Sequence, residues 1–116
     1  MNETERLEIR PATEADVPLV LTFIQELAEY EKLRHEVVAT EERIREALFG
    51  PRPYAEVLLA ELGGEPVGFA LFFHNFSTFL GRPGLYIEDL YVRPAARRRG
   101  VGRRLLARLA ALVRER

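Results

Sequence analysis

The chain has 116 residues, enough for one compact domain with a single core, and a hydrophobic fraction of 47% beside a charged fraction of 30% excludes disordered, collagenous and low-complexity classes. The absence of Cys excludes disulfides, thiolate catalysis and cysteine-ligated zinc. The net charge of -1 conceals a charge of -9 over residues 1–92 and +8 over residues 93–116, so the basic end expects an anion.

The two histidines, His35 and His74, stand far apart without ligand-like spacing, and no metal site is expected. No apolar run approaches the roughly 20 residues that cross a bilayer. Met1 to Glu8 is polar where a signal peptide carries a basic and then an apolar segment. The expectation is a cytoplasmic protein without a membrane partner.

Leu7 to Arg10 alternates apolar and polar residues and stops at Pro11, as a short strand does. Thr13 and Asp16 form a capping-box variant with a shortened acid, and Val17, Val20, Leu21, Ile24, Leu27 and Ala28 then recur at helical spacing to about Glu31. After a polar stretch, Thr40 is an N-cap for a short second helix, with Glu41 and Glu42 at its positive end and Gly50 closing it. Ala55 to Leu62 and Pro66 to Phe73 read as a hairpin around Gly63 and Gly64. His74 to Gly84 reads as a loop, Leu85 to Val92 as a fourth strand, and Val101, Leu105, Leu109, Leu112 and Val113 as the apolar stripe of a last helix. The order β-α-α-β-β-β-α predicts an α+β domain with a largely antiparallel sheet carrying helices. A strand followed by a long helix ordinarily leads to a further strand, so the rest of the fold is expected to be missing or to be supplied by another chain.

The most informative stretch is Ile87 to Leu106, IEDLYVRPAARRRGVGRRLL. A strand feeds a turn with Gly100 and Gly102, and the turn opens into a helix whose first amides have no internal partner and whose dipole favours an anion. The turn lacks the G-K-[ST] ending of a nucleotide P-loop and does not match G-x-G-x-x-G, which disfavours ATP and NAD.

Arg97, Gly100 and Gly102 spell R-x-x-G-x-G just after a strand carrying Glu88 and Asp89, which resembles the pyrophosphate-binding motif of GNAT acetyltransferases. IRPAT at 9–13, ELAEYE at 26–31, ALFG at 47–50 and VGFALFF at 67–73 are similar to the diamine (spermidine/spermine-type) branch of that superfamily, and together they cover nearly the whole chain. The resemblance implies a single N-acetyltransferase domain over residues 1–116, GNAT-like in its sheet but lacking the C-terminal strands and helix. Acetyl-CoA is the implied cosubstrate, and a primary amine of a polyamine or lysine-like molecule the implied acceptor. The family's pyrophosphate turn falls on Arg97, Arg98, Arg99, Gly100, Val101, Gly102 and Arg103, and its pantetheine-pairing edge on Leu90, Tyr91 and Val92. The catalytic carboxylate, acting through water as general base, falls on Glu88, and a backbone N–H near Leu90 is the implied oxyanion donor. The tyrosine used by the family as general acid has no counterpart: Tyr30, Tyr54, Tyr86 and Tyr91 stand at other positions.

The residues alone also support plainer readings. Glu88 alternates with Tyr86, Leu90 and Val92, where a carboxylate among apolar neighbours more often has a structural Arg partner; the resemblance reverses that preference. Asp89, expected on the other face with Ile87 and Tyr91, reads as structural or capping. An Arg run is ordinarily a solvated turn, and without aromatic interleaving a nucleic-acid partner is not expected. The alternative function is a truncated, non-catalytic acyl-CoA-binding or dimerisation domain. An exposed sheet edge predicts a homodimer.

Overall fold

The computed structural model describes residues 6–116; of the polar start expected at Met1 to Glu8, the first five residues lie outside the described residues. The chain folds as β1 (Leu7–Pro11), α1 (Val17–Tyr30), α2 (Glu41–Phe49), β2 (Glu56–Leu62), β3 (Glu65–Ser77), β4 (Arg82–Val92) and α3 (Val101–Glu115). Short 3-10 turns occupy Glu14–Asp16, Arg34–Glu36 and Pro94–Ala96. The four strands form one antiparallel sheet in the order β1-β2-β3-β4, the α+β arrangement expected. Among the described residues, no helix is long and apolar enough to cross a membrane.

Both faces of the sheet are covered. On one, Leu58, Ala60, Ala70 and Phe72 pack against Val101, Leu105, Leu109 and Leu112 of α3. On the other, Val57, Leu59, Phe69 and Tyr91 pack against Val17, Val20 and Phe23 of α1 and Ile44 and Leu48 of α2. Phe23, outside the expected stripe, is fully buried and stacks on Phe69 with ring centroids 5.5 Å apart. Val113 departs from expectation in the opposite sense: it is 54% exposed, because Leu109 and Leu112 already fill the sheet-facing side of the last turns.

The local signals act largely as their chemistry dictates. The Asp16 carboxylate accepts from the Thr13 N–H at 2.7 Å and the Thr13 hydroxyl at 3.0 Å, which forms the acid's half of the capping box. Thr40 Oγ1 accepts from the Arg43 N–H at 3.1 Å and caps α2. Gly63 and Gly64, with φ of 60° and 84°, make the β2–β3 turn. The expected loop from His74 to Gly84 is shorter than its composition implies. His74 to Ser77 continue β3 and Arg82 to Gly84 begin β4, because ladder pairing carries the polar and Gly/Pro residues, and Gly81 at φ 66° helps turn the chain.

Arg10 ties β1 to the entrance of α1. Its guanidinium meets the Asp16 carboxylate side by side, Nη1 to Oδ2 at 2.8 Å and Nη2 to Oδ1 at 3.0 Å, while Nε donates to Glu61 at 3.3 Å. Arg10, followed by the Thr13 donors, holds the Asp16 carboxyl down from 3.8 to about 2 against the opposing effect of burial. A carboxyl depressed in the folded state stabilises fully above its unfolded value, and that stabilisation disappears as the pH falls through about 2. Asp16→Asn is expected to cost roughly 2 kcal/mol at neutral pH. In urea denaturation, the wild-type and Asp16→Asn midpoints should converge as the solution is acidified through that range.

Candidate functional site

The site begins with a register irregularity. Leu71 pairs with Asp89 and Phe72 pairs with Ile87, so Glu88 is the extra residue of a β-bulge in β4. A bulge resets which face the following residues occupy. Ile87 lies with Phe72 on the α3 side, whereas Asp89 lies opposite Leu71 on the α1 side. This corrects the simple alternation expected from sequence: Glu88 does not share a face with both Tyr86 and Leu90, and Asp89 does not share one with Ile87. Glu88 is exposed at the bulge.

Asp89, expected to be structural, takes part in no side-chain hydrogen bond found among the described residues. Burial, then the charges of Glu88 and Glu31, push its carboxyl up from 3.8 to about 6. Glu31 follows the last residue of α1, so the end of that helix brings acidity to the bulge. The bulge thus offers one exposed and one partly buried carboxylate where a cationic amine would be attracted and could lose a proton.

Downstream of the bulge, β4 passes close to β3. A Cβ on Gly68 would stand 2.6 Å from the Tyr91 carbonyl oxygen, so that approach requires glycine. The Tyr91 carbonyl therefore faces β3, and the Arg93 N–H also faces β3, donating to Val67 O at 2.8 Å. Because N–H and C=O directions alternate along a strand, Leu90 and Val92 present theirs to the outer edge. Arg97 Nε occupies the Val92 carbonyl at 2.9 Å. Among the described residues, the Leu90 N–H and C=O and the Val92 N–H face away from β3 on an edge with no further strand. Tyr91, grouped with them from sequence, contributes no outer-edge group: its ring is buried and its hydroxyl donates to Glu26 at 3.1 Å.

The turn after β4 is held in an uncommon conformation. Gly100, the residue before α3, has φ 78° with open space where a side chain would project, and Arg98 adopts φ 68° without being glycine. Among the described residues no side chain caps α3, and Arg104 N–H to Gly100 O at 3.0 Å is the first turn's closing bond. The amides of Val101, Gly102 and Arg103 consequently have no intrahelical acceptor and carry the positive end of the helix dipole. Val101 enters the core through its side chain, so its share in anion binding is confined to the backbone. Arg98, Arg99 and Arg103, which neighbour these amides in sequence, are exposed. Arg97 is engaged differently, with its guanidinium 4.5 Å from the Tyr30 ring centroid as well as on the Val92 carbonyl.

A cavity of about 560 Å³ lies elsewhere, between the ends of α2 and α3, with Phe49, Tyr54, Phe73 and His74 among its walls. It includes neither the bulge nor the turn. The bulge carboxylates, the outer edge of β4 and the start of α3 lie apart from it, along one strand edge that leads into a helix.

The sequence model of the acetyltransferase (GNAT) family matches residues 21–116. The chain belongs to the GNAT acetyltransferase family. It is 40% identical over 113 residues to the thialysine N-epsilon-acetyltransferase of Bos taurus, with 90% of this chain and 66% of that protein covered. It is 31% identical over 113 residues to the human spermidine/spermine N(1)-acetyltransferase-like protein 1, covering 91% of this chain and 16% of that longer protein. The fold also matches a metagenomic aminoglycoside acetyltransferase crystallised with sisomicin, with a TM-score of 0.78, 22% identity and coverage of 94% and 70% of the two chains. This GNAT chain spans just under two thirds of the length of its bovine relative.

The raised carboxyl of Asp89 has a stability consequence with a definite sign. A group protonated more readily when folded destabilises the fold once it is ionised, and the penalty develops as pH rises from 3.8 through about 6. Asp89→Asn is therefore expected to stabilise the protein near neutrality by about 1 kcal/mol after solvent screening. Thermal melts at pH 7.5 and pH 4 test this, the gain being present in the first and absent in the second.

Proposed function

We propose that the chain provides the acetyl-CoA site and catalytic base of an N-acetyltransferase that moves the acetyl group to a primary amine of a small lysine-like or polyamine molecule. The observation that carries this reading is the continuity between the free edge groups of Leu90 and Val92 and the uncapped amides of Val101, Gly102 and Arg103. An extended thiol-bearing arm ending in a pyrophosphate needs strand-like partners followed by an anion site, in that order. The named relatives support the acceptor class, since thialysine and spermidine both present primary amines.

Acetyl-CoA supplies the activated thioester; the protein's residues orient it and manage the acceptor's proton. The turn amides, with Arg98, Arg99 and Arg103 around them, bind the pyrophosphate, while Gly100 permits the left-handed step into α3. The Leu90 N–H faces outward, where it can donate to the thioester carbonyl oxygen as charge develops there. Glu88 accepts the proton of the incoming ammonium through water, because the nitrogen has no free lone pair until that proton leaves. Asp89 and Glu31 add negative potential on the α1 side, which favours a cationic acceptor over a neutral one. The freed amine attacks the thioester carbonyl, the C–N bond forms as the C–S bond breaks, and coenzyme A leaves as a thiolate protonated from solvent, since the Tyr91 hydroxyl is engaged with Glu26 and Tyr30 lies under Arg97.

A homodimer is also proposed, supported by the exposed Phe76, Phe79 and Leu80 near the tip of the β3–β4 hairpin. Calorimetric titration with acetyl-CoA, with ATP and a short DNA duplex as controls, tests the cosubstrate, and sedimentation of the same samples tests self-association. Saturable binding of acetyl-CoA alone and a dimer mass are expected; a folded monomer that ignores acetyl-CoA contradicts both. Glu88→Gln should lower turnover about a hundredfold, within the usual range for a lost general base, while leaving acetyl-CoA affinity nearly unchanged. Full activity in that variant across pH would remove Glu88 from the role.

A further inference from the structure

The Glu26 carboxylate belongs to α1 but is engaged almost entirely by the other side of the site. Oε1 accepts from the Tyr91 hydroxyl at 3.1 Å and from Arg93 Nε at 3.0 Å, and Oε2 accepts from Arg93 Nη2 at 2.8 Å. Arg93 Nη1 also donates to Pro66 O at 3.1 Å, and the guanidinium lies 4.8 Å from the Phe23 ring centroid. Its planar fork thus joins α1, the start of β3 and the exit of β4 in one arrangement. Four residues later, Arg97 holds the Val92 carbonyl and stacks on Tyr30, also of α1. The strand exit and the anion turn are both secured to one helix.

We propose that Glu26 is a positioning residue for acetyl-CoA: through Tyr91 and Arg93 it fixes the end of β4, and with it the path of the turn whose amides receive the pyrophosphate. The inference rests on the acetyl-CoA reading of that turn. Its physical basis is preorganisation. The turn passes through two left-handed residues, Arg98 and Gly100, between β4 and the buried Val101. A segment of that kind keeps its amides convergent only when both ends are fixed. Val101 fixes the helix end; Glu26 fixes the strand end. Releasing Glu26 lets the turn sample other paths, and binding must then supply the ordering.

The role differs from ordinary support of the core, because Glu26 touches none of the groups assigned to acetyl-CoA yet its loss should be read in affinity. Glu26→Gln preserves shape but replaces one acceptor oxygen with a donor facing Arg93, so the fork cannot be satisfied. Calorimetry at a temperature where every variant is folded, judged by circular dichroism, should show acetyl-CoA binding weakened about tenfold in Glu26→Gln, an ordinary size of coupling between separate sites. Tyr91→Phe removes a single hydrogen bond and keeps the buried ring, and should weaken binding about threefold; it serves if Glu26→Gln does not fold. Glu26→Asp should recover part of the lost affinity, and Glu42→Gln, on the exposed side of α2, should leave it unchanged.

A purely structural role predicts lower melting temperatures with an unchanged dissociation constant, and that result in Tyr91→Phe and any folded Glu26→Gln overturns the proposal. If the wild type itself does not bind acetyl-CoA, the reading of the turn fails and the positioning role fails with it. If the wild type binds and the variants bind equally well, only the positioning role is lost.

Discussion

The burial of one stripe on α3 determines where the chemistry can be. Val101, Leu105 and Leu109 are almost inaccessible against the sheet, and this packing fixes the helix start as well as its direction. A helix pinned through its first residue cannot slide along its axis without exposing that residue. Its first amides are therefore held at a set place beside the end of β4, where the helix dipole favours negative charge. The left-handed Gly100 is the local adjustment that lets the turn meet this position.

Charge is arranged in two poles along the same strand. The bulge of β4 carries Glu88 and Asp89 with Glu31 nearby, and its exit leads into Arg98, Arg99 and Arg103. Acidic and basic groups thus stand at opposite ends of one short strand edge, so ligands of opposite charge are attracted to its two ends. Helix α1 spans this arrangement, with Glu26 engaged at the basic end and Glu31 acting on the acidic end. The Arg93 fork makes that helix part of the site's frame, although it contributes no residue to the motif.

Much of this was legible in the sequence because the signals are local. Thr40, Gly63, Gly64 and the R-x-x-G-x-G turn each depend on neighbours a few residues away, and the structure places caps, hairpin and helix start accordingly. What composition concealed depends on pairing. The polar run from His74 to Ser77 is strand because β4 offers it a ladder. The bulge at Glu88 leaves no mark in an alternating pattern, so the faces assigned to Ile87 and Asp89 required the register. The Glu26–Arg93 fork joins residues 67 positions apart, and nothing in either local stretch announces it. Tyr91 fitted the alternating edge pattern as a residue, but the close approach at Gly68 directs its carbonyl inward.

In the proposed function, one ligand runs from the outer edge of β4 into the amides of α3. Amide chemical shifts and hydrogen exchange of the labelled protein, recorded with and without acetyl-CoA, test it most directly. The N–H groups of Leu90, Val92, Val101, Gly102 and Arg103 should shift together and gain protection, while the Arg93 N–H, already bonded to Val67, changes little. Perturbations confined to the cavity around Phe49 and His74, with the α3 amides unaffected, would contradict it.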